Sequence, residues 1–357
     1  MPTAFWLVPI TSGVVAAFAI LLLRPLAPTL GLIDHPGGRK DHAAPVPLIG
    51  GLAILAGLAA VAPMRTLLPV LPFLVAAALV ALVGMLDDMH ELHQIPRLMA
   101  QIGACAIMIF IAGVELRFVG NLLGAGAIGL SVFSIPVTAF AVVGVVNAVN
   151  MSDGLDGLAG SQSLIALCWY ALAAALMDLT PQLLILLALA AGLVAFLPFN
   201  IRLPWRRRAM IFLGDAGSML LGFALGWFAV DLTQGPGRVL PPICALWVVV
   251  IPLCDTVSLI LRRLRSGQSP MAADRRHLHH LLLAKGFTVP QTVGLLAAAS
   301  FVTGAIGIGG WQAGVPEPLL FILFVALYLG YHHTVKREWA RIEATERNSA
   351  IEAAVRQ

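Results

Sequence analysis

Residues 134–176 read "SIPVTAFAVVGVVNAVNMSDGLDGLAGSQSLIALCWYALAAAL". Two apolar runs enclose a polar seam, Asn150–Gly160, which carries Asp153 and Asp156 three residues apart. Crossing the hydrocarbon core takes about 20 mostly apolar residues as a helix, because no water is present there to satisfy open backbone groups. Each run meets that length, so the seam is a turn between two membrane helices. Composition agrees. Of 357 residues, 59% are hydrophobic and 11% charged, against roughly 25% charged in a soluble domain. The mean hydropathy is +0.92. The fold class is therefore an all-α, polytopic membrane protein.

The same pattern predicts eleven spans: 4–23, 46–64, 67–86, 97–114, 132–149, 157–177, 181–200, 210–230, 239–261, 289–311 and 317–335. An odd count puts the termini on opposite sides. With the N-terminus outside, 19 of the 22 basic residues face inward, and only Arg65, Arg117 and Arg238 face outward. Positively charged loops stay on the cytosolic side, so the expected orientation is N-terminus out, C-terminus cytosolic. No basic residue precedes the first apolar run and Arg24 follows it, the reverse of a cleaved signal peptide. Residues 1–335 form one membrane domain; 336–357 are a charged cytosolic tail whose alternating signs suit a solvated helix. Cys105, Cys168, Cys244 and Cys254 lie in apolar runs without CxxC spacing and read as buried free thiols.

On this map the acids gather. Asp87 and Asp88 close the third span, Asp153 and Asp156 occupy the turn after the fifth, and Asp215 in "FLGDAGS" opens the eighth. All reach the inner face, as does "HLHH" with His277, His279 and His280. Carboxylates converging at the edge of a low-dielectric slab repel one another unless a cation sits among them. Mg²⁺ suits such a site, since it takes one or two carboxylates plus waters and substrate phosphates; Mn²⁺ is the alternative ion. Asp215 on its own reads equally as a helix N-cap, and "DGLDG" as a plain turn. Spacing of three nonetheless puts Asp153 and Asp156 on one side of a helical turn, with Asn147 and Asn150 close by to hold a base edge, a ribose or a metal. Adjacent Asp87 and Asp88 compete for charge and suit a proton acceptor or a metal facing phosphate.

Cations complete the pattern. "RRLRSGQSPMAADRRHLHH" contains Arg265 and Arg276 beside the histidines, and "GGRKDH" contributes Lys40. Such clusters can bind lipid headgroups, which explains arginines better than histidines. Arginine and histidine facing a carboxylate–metal cluster is what phosphoryl transfer uses. No P-loop or dinucleotide fingerprint is present, so soluble nucleotide folds are excluded. A phosphate-handling site on a membrane face implies a lipid-borne substrate.

Five motifs carry a family resemblance: "RKDHAAPVPLIGG", "GMLDDMHEL", "NAVNMSDGLDGLAG", "FLGDAGSMLLG" and "SPMAADRRHLHHLLLAKGFT". Together they resemble the polyprenyl-phosphate N-acetylhexosamine-1-phosphate transferases, in that family's order and over residues 35 to 288. The His-x-His-His pattern is similar to the bacterial branch that uses UDP-GlcNAc. Leu278 inside the histidines and Leu281 after them depart from the phospho-MurNAc-pentapeptide branch.

The resemblance implies transfer of GlcNAc-1-phosphate from UDP-GlcNAc to undecaprenyl phosphate, releasing UMP and initiating a cell-envelope polysaccharide such as O-antigen. It implies Asp215 as a Mg²⁺ ligand with Asn150 as partner, and Asp87 or Asp88 as the group that deprotonates or orients the lipid phosphate. Asp153 and Asp156, with Asn150, would position the nucleotide. Lys40, Arg265, Arg276, His277, His279 and His280 would hold the diphosphate and sugar; Arg97 stands where some members carry Lys. The expected setting is the bilayer of a bacterial inner membrane, with the active site cytosolic. A homodimer stays open and nucleic acid is not expected. Direct displacement and a covalent aspartyl intermediate both remain open.

Two other readings stand beside this one. A different UDP-HexNAc donor differs only in a few loop contacts. A transporter would place its ionisable groups near the midplane, often in repeats, and neither feature is visible here. Asp255, inside the ninth span, is either functional by its position or a structural partner of a neighbouring helix.

Overall fold

The protein is described here from a computed structural model covering residues 4–36, 44–64, 67, 70–235, 237, 239–269 and 276–355. Helix α1 (Ala4–Leu26) leads to a two-stranded antiparallel ribbon, β1 (Ile33–Asp34) with β2 (Val46–Pro47), in which Ile33 pairs with Pro47 and Asp34 with Val46. Then come α2 (Gly50–Val61), α3 (Leu71–His90), α4 (Gln94–Ala106), α5 (Ser134–Ser152), α6 (Leu158–Leu176), α7 (Thr180–Asn200) and α8 (Gly214–Asp231). The chain ends with α9 (Pro242–Val248), α10 (Val250–Arg265), α11 (Leu278–Ala284), α12 (Val289–Gly304), α13 (Gly310–Gln312) and α14 (Glu317–Val355).

Among the described residues, eight helices are long and apolar enough to cross a membrane. The α9–α10 pair, bent by 84° at Val249, makes a ninth if it counts as one span. A helix or helix pair lies at each of the eleven expected segments, but two depart from a plain span. The expected span 46–64 shortens to the 12 residues of α2. Its first residues leave the helix because Val46 and Pro47 pair with β1 and Leu48 bridges to Phe212. The eighth segment becomes α8, whose 18 residues are almost all buried. A helix apolar all round belongs inside the protein, and α8 packs between α3 and α5 as the central post. Phe73 of α3 stacks on Phe223 and meets Trp227 and Phe228 of α8, joining the two helices through aromatic area.

Close approach at the N-terminal end of α8 depends on missing side chains. A Cβ on Gly84 of α3 would lie 2.6 Å from the Ala216 backbone, and one on Gly51 of α2 would lie 2.1 Å from Gly217 N. Strand-like bonds then clamp the α8 approach: the Gly50 and Gly51 amides donate to the Phe212 and Leu213 carbonyls, and the Phe212 amide donates to Pro47. The sequence Phe212–Gly214 is thus held against the ribbon and α2 before the helix starts.

Two sequence expectations change. Cys168 is exposed on α6, unlike the other three cysteines; in a membrane helix an outward-facing thiol is accommodated by lipid. The charged tail is not a separate helix, because α14 runs unbroken through it to Val355.

Candidate active site

The five expected carboxylates, Asp87, Asp88, Asp153, Asp156 and Asp215, all line one cleft of about 1370 Å³. They come from four points in the chain, and each arrives by a different local device. Asp87 and Asp88 sit in the last turn of α3, just before Glu91 ends the helix in a left-handed conformation (φ 47°). Asp153 caps the C-terminus of α5, where its amide returns to the Asn150 carbonyl. Asp156 lies in the following turn, which Gly157 closes at φ 87°; Asn200 secures that turn by accepting from the Gly157 amide at 2.8 Å. Asp215 opens α8 after Gly214 at φ 73°.

The acids are not equivalent. Asp88 takes the N-terminus of α8: its two oxygens accept from the Asp215 amide at 2.8 Å and the Ala216 amide at 3.1 Å. First-turn amides lack intrahelical partners and favour an anion, so Asp88 both satisfies them and locks α3 to α8. Buried Asp87 accepts from Arg97 of α4 at 2.6 Å. The same guanidinium stands 3.7 Å from Asp215. Asn150 donates to Asp215 and also to Ser218 at 2.9 Å. Asp156 accepts from Arg202 at 2.7 Å and from the Ala209 amide at 3.3 Å. Each ionised carboxylate offers about four lone-pair positions, so acceptor capacity remains toward the cleft.

Asp153 is pushed up to about 7, first by burial and then by the charges of Asp215 and Asp156. The sign of the consequence follows. The folded state holds this proton between about 4 and 7, where the unfolded chain has released it, so this residue's contribution to stability falls as pH rises through that window. Asp153→Asn is expected to flatten that slope in apparent melting temperature measured from pH 4.5 to 7.5 in detergent; an unchanged slope would assign the titration elsewhere.

Residues able to hold a divalent cation can be tested against this geometry. Asp87, Asp88 and Asp215 converge with Arg97 as the one guanidinium lining the cleft among the described residues. Their donors are carboxylate oxygens, with the Asn150 amide beside them, a hard set that suits Mg²⁺ better than zinc. They do not form a closed cage of three ligands. That fits Mg²⁺, which keeps waters and takes substrate phosphates.

The predicted histidine and arginine groups divide. His280 lines the cleft. Buried His279 lies behind it, so near Gly154 that a Cβ there would sit 2.5 Å from Nε2. Burial, followed by the neighbouring His280 and His277, drives His279 down to about 3, so at neutral pH it is an uncharged imidazole rather than a cation for phosphate. His277 is also buried and turns to Asp255. Arg265 meets His332 of α14 at 3.2 Å and Arg276 pairs with Glu343 at 3.8 Å; neither lines the cleft. Lys40 lies outside the described residues. The cleft also takes in Asp34, His35, His90 and Glu91, which sequence reasoning did not single out. The left-handed turn and two-residue strand that present them carry no strong sequence signal.

Fold and cleft together define the class: a polytopic helical membrane protein whose acids are collected in one cleft at its helix ends. Comparison with known proteins agrees. The glycosyl transferase family 4 model matches residues 70–233, a stretch that contains Asp87, Asp88, Asp153, Asp156 and Asp215 together with Arg97 and Asn150. The undecaprenyl-phosphate α-N-acetylglucosaminyl 1-phosphate transferase of Yersinia pestis is 34% identical over 90% of this chain and 88% of its own. The proteins of that name from Escherichia coli K12 and Haemophilus influenzae are 31% and 34% identical, over 90% and 91% of this chain and 88% and 92% of their own. The chain belongs to glycosyl transferase family 4.

Proposed function

We propose that this protein transfers GlcNAc-1-phosphate from UDP-GlcNAc to undecaprenyl phosphate, giving undecaprenyl-diphosphate-GlcNAc and UMP. The observation that carries the reading is the convergence of Asp87, Asp88, Asp153, Asp156 and Asp215 with Arg97 and Asn150 in one cleft, in a chain similar along nine-tenths of its length to transferases named for this reaction. An oxygen of the lipid phosphate attacks the β-phosphorus of the sugar nucleotide. The bond from that phosphorus to the bridging oxygen breaks, and UMP leaves. Little covalent work falls to the protein in such a transfer; positioning and charge stabilisation do most of it.

Each residue then has a task. Asp215, with Asn150 fixing its carboxylate, would hold Mg²⁺, and Asp87 stands across from it on Arg97. When bound, Mg²⁺ supplies the positive charge that spreads over the diphosphate oxygens. Arg97 bridges Asp87 and Asp215 and presents its remaining donors to anionic oxygen. Asp88, fixed by the α8 amides, keeps Asp215 in register and orients the incoming lipid phosphate. Asp153 and Asp156, on the turn secured by Asn200 and Arg202, accept from the nucleoside. His280, which lines the cleft, contacts the sugar or diphosphate. The cleft faces the cytosol of a bacterial inner membrane, consistent with 19 of 22 basic residues on that side.

The deciding experiment mixes purified protein, undecaprenyl phosphate and Mg²⁺ with a panel of UDP-sugars and reads UMP release. UDP-GlcNAc is expected to be the preferred donor, and chelation by EDTA to stop turnover. Release from a different UDP-HexNAc alone would move the donor assignment, and no release from any would remove the activity.

A further inference from the structure

Asp255 lies outside the cleft, yet its carboxylate is fully engaged. Oδ2 meets His277 Nδ1 at 2.8 Å, while Oδ1 accepts from the Leu278 amide at 3.0 Å and the Tyr331 hydroxyl at 2.7 Å. Three elements, α10, the start of α11 and α14, therefore converge on one buried side chain. A buried carboxylate is costly unless several donors compensate it. Three donors also fix where His277 points.

From His277 the contacts continue to the cleft. Its ring stacks on His279 with centroids 5.3 Å apart and planes within 10°. His279 lies 4.3 Å from His280 by centroid and abuts Gly154 in the turn that carries Asp153 and Asp156. His280 lines the cleft. Further along α14, Glu338 reinforces the same segment by accepting from Lys285 at 2.7 Å just after α11.

We propose that Asp255 and Tyr331 are positioning residues, which through His277 press the His279–His280 strip against the Asp153–Gly157 turn so that His280 faces the substrate. The proposal rests on the transferase reading given above. It assigns the cytosolic half of α14 a role in the site that charge patterning alone did not suggest. The ligand atoms of Asp255, His277 and His279 also lie within 4.8 Å of one another, close enough to hold a metal. Hydrogen-bond contact between Asp255 and His277, with both carboxylate oxygens already engaged, favours a network over an ion.

The test is a double-mutant cycle. Asp255→Asn and His280→Ala are each expected to lower kcat/KM for UDP-GlcNAc by about tenfold, with the double variant no worse than the more severe single one. Tyr331→Phe, which removes one of three bonds to Asp255, is expected to show a smaller loss that is likewise non-additive with His280→Ala; it carries the cycle if Asp255→Asn does not fold. Hydrogen–deuterium exchange of residues 276–288 supplies a readout independent of activity and should accelerate in either variant. Additive losses, unchanged exchange, or stoichiometric zinc in the wild type that Asp255→Asn releases would each overturn the proposal. A wild type that releases no UMP, while exchange still accelerates in the variants, would instead remove the transferase reading and leave the positioning network intact.

Discussion

Asp215→Asn is expected to lower UMP release by about a thousandfold or more, the scale on which loss of a preorganised electrostatic group acts in a closed site. The substitution keeps shape. An asparagine oxygen can still accept from Asn150, and the α8 amide of residue 215 can still donate to Asp88. What disappears is the charge, and with it the best oxygen donor for a divalent cation. Folding should therefore survive, with a melting temperature within a few degrees of wild type. Removing one of several like charges could even raise it slightly. Turnover and melting are read on the same preparation, across a Mg²⁺ titration. Wild-type turnover in Asp215→Asn would exclude this residue from the metal site. Recovery at high Mg²⁺ would instead indicate a weakened but still functioning ligand set.

Gly214→Ala is expected to damage structure and activity together, by an argument that depends wholly on geometry. Gly214 has φ 73°, where a Cβ costs roughly 1–2 kcal/mol. That Cβ would also lie 2.5 Å from Asp88 Oδ2. Relief requires Asp88 to move, which releases its two bonds to the α8 amides. Hydrogen bonds to a charged group contribute about 1.5–3 kcal/mol each, so a total loss of about 3 kcal/mol is a fair expectation once part of the movement is accommodated. In turnover the effect should exceed what stability alone predicts, since Asp88 and Asp215 would lose their register. Thermal melting and UMP release at a temperature where the variant is folded separate the two effects. An alanine variant with wild-type melting and turnover would show that the α3–α8 junction tolerates a side chain that this packing excludes.

Both predictions involve the α3–α8 junction, and they differ in how far the sequence foretold them. Asp215 was visible beforehand as an acid with small neighbours on the same membrane face as four others. That Asp88 serves as the cap of α8 was not visible: the two residues are 127 positions apart, and no local pattern couples them. Arg97 is a similar case. Its position near the end of an apolar segment could be read from the chain, whereas its ion pair with Asp87 depends on α4 lying beside α3. The arginines near the histidine strip went the other way. Arg265 and Arg276 look like phosphate ligands in a one-dimensional list, but the nearness of α14 gives them His332 and Glu343 instead.

The length of the apolar runs and the scarcity of charge by themselves determined that this chain is an all-α membrane protein, and they fixed where along each helix the polar residues fall. That much is local physics: an apolar run of given length crosses a slab of given thickness, and whatever interrupts it must emerge at an edge. Which helices stand side by side was decided only in three dimensions, by glycines that let α2 and α3 approach α8, by a ribbon that shortened one expected span, and by a buried post with no lipid-facing side. Depth in a bilayer is written in each segment separately. Lateral neighbours are chosen by packing among all the segments at once, so the partner of each aspartate could not be read from the sequence around it.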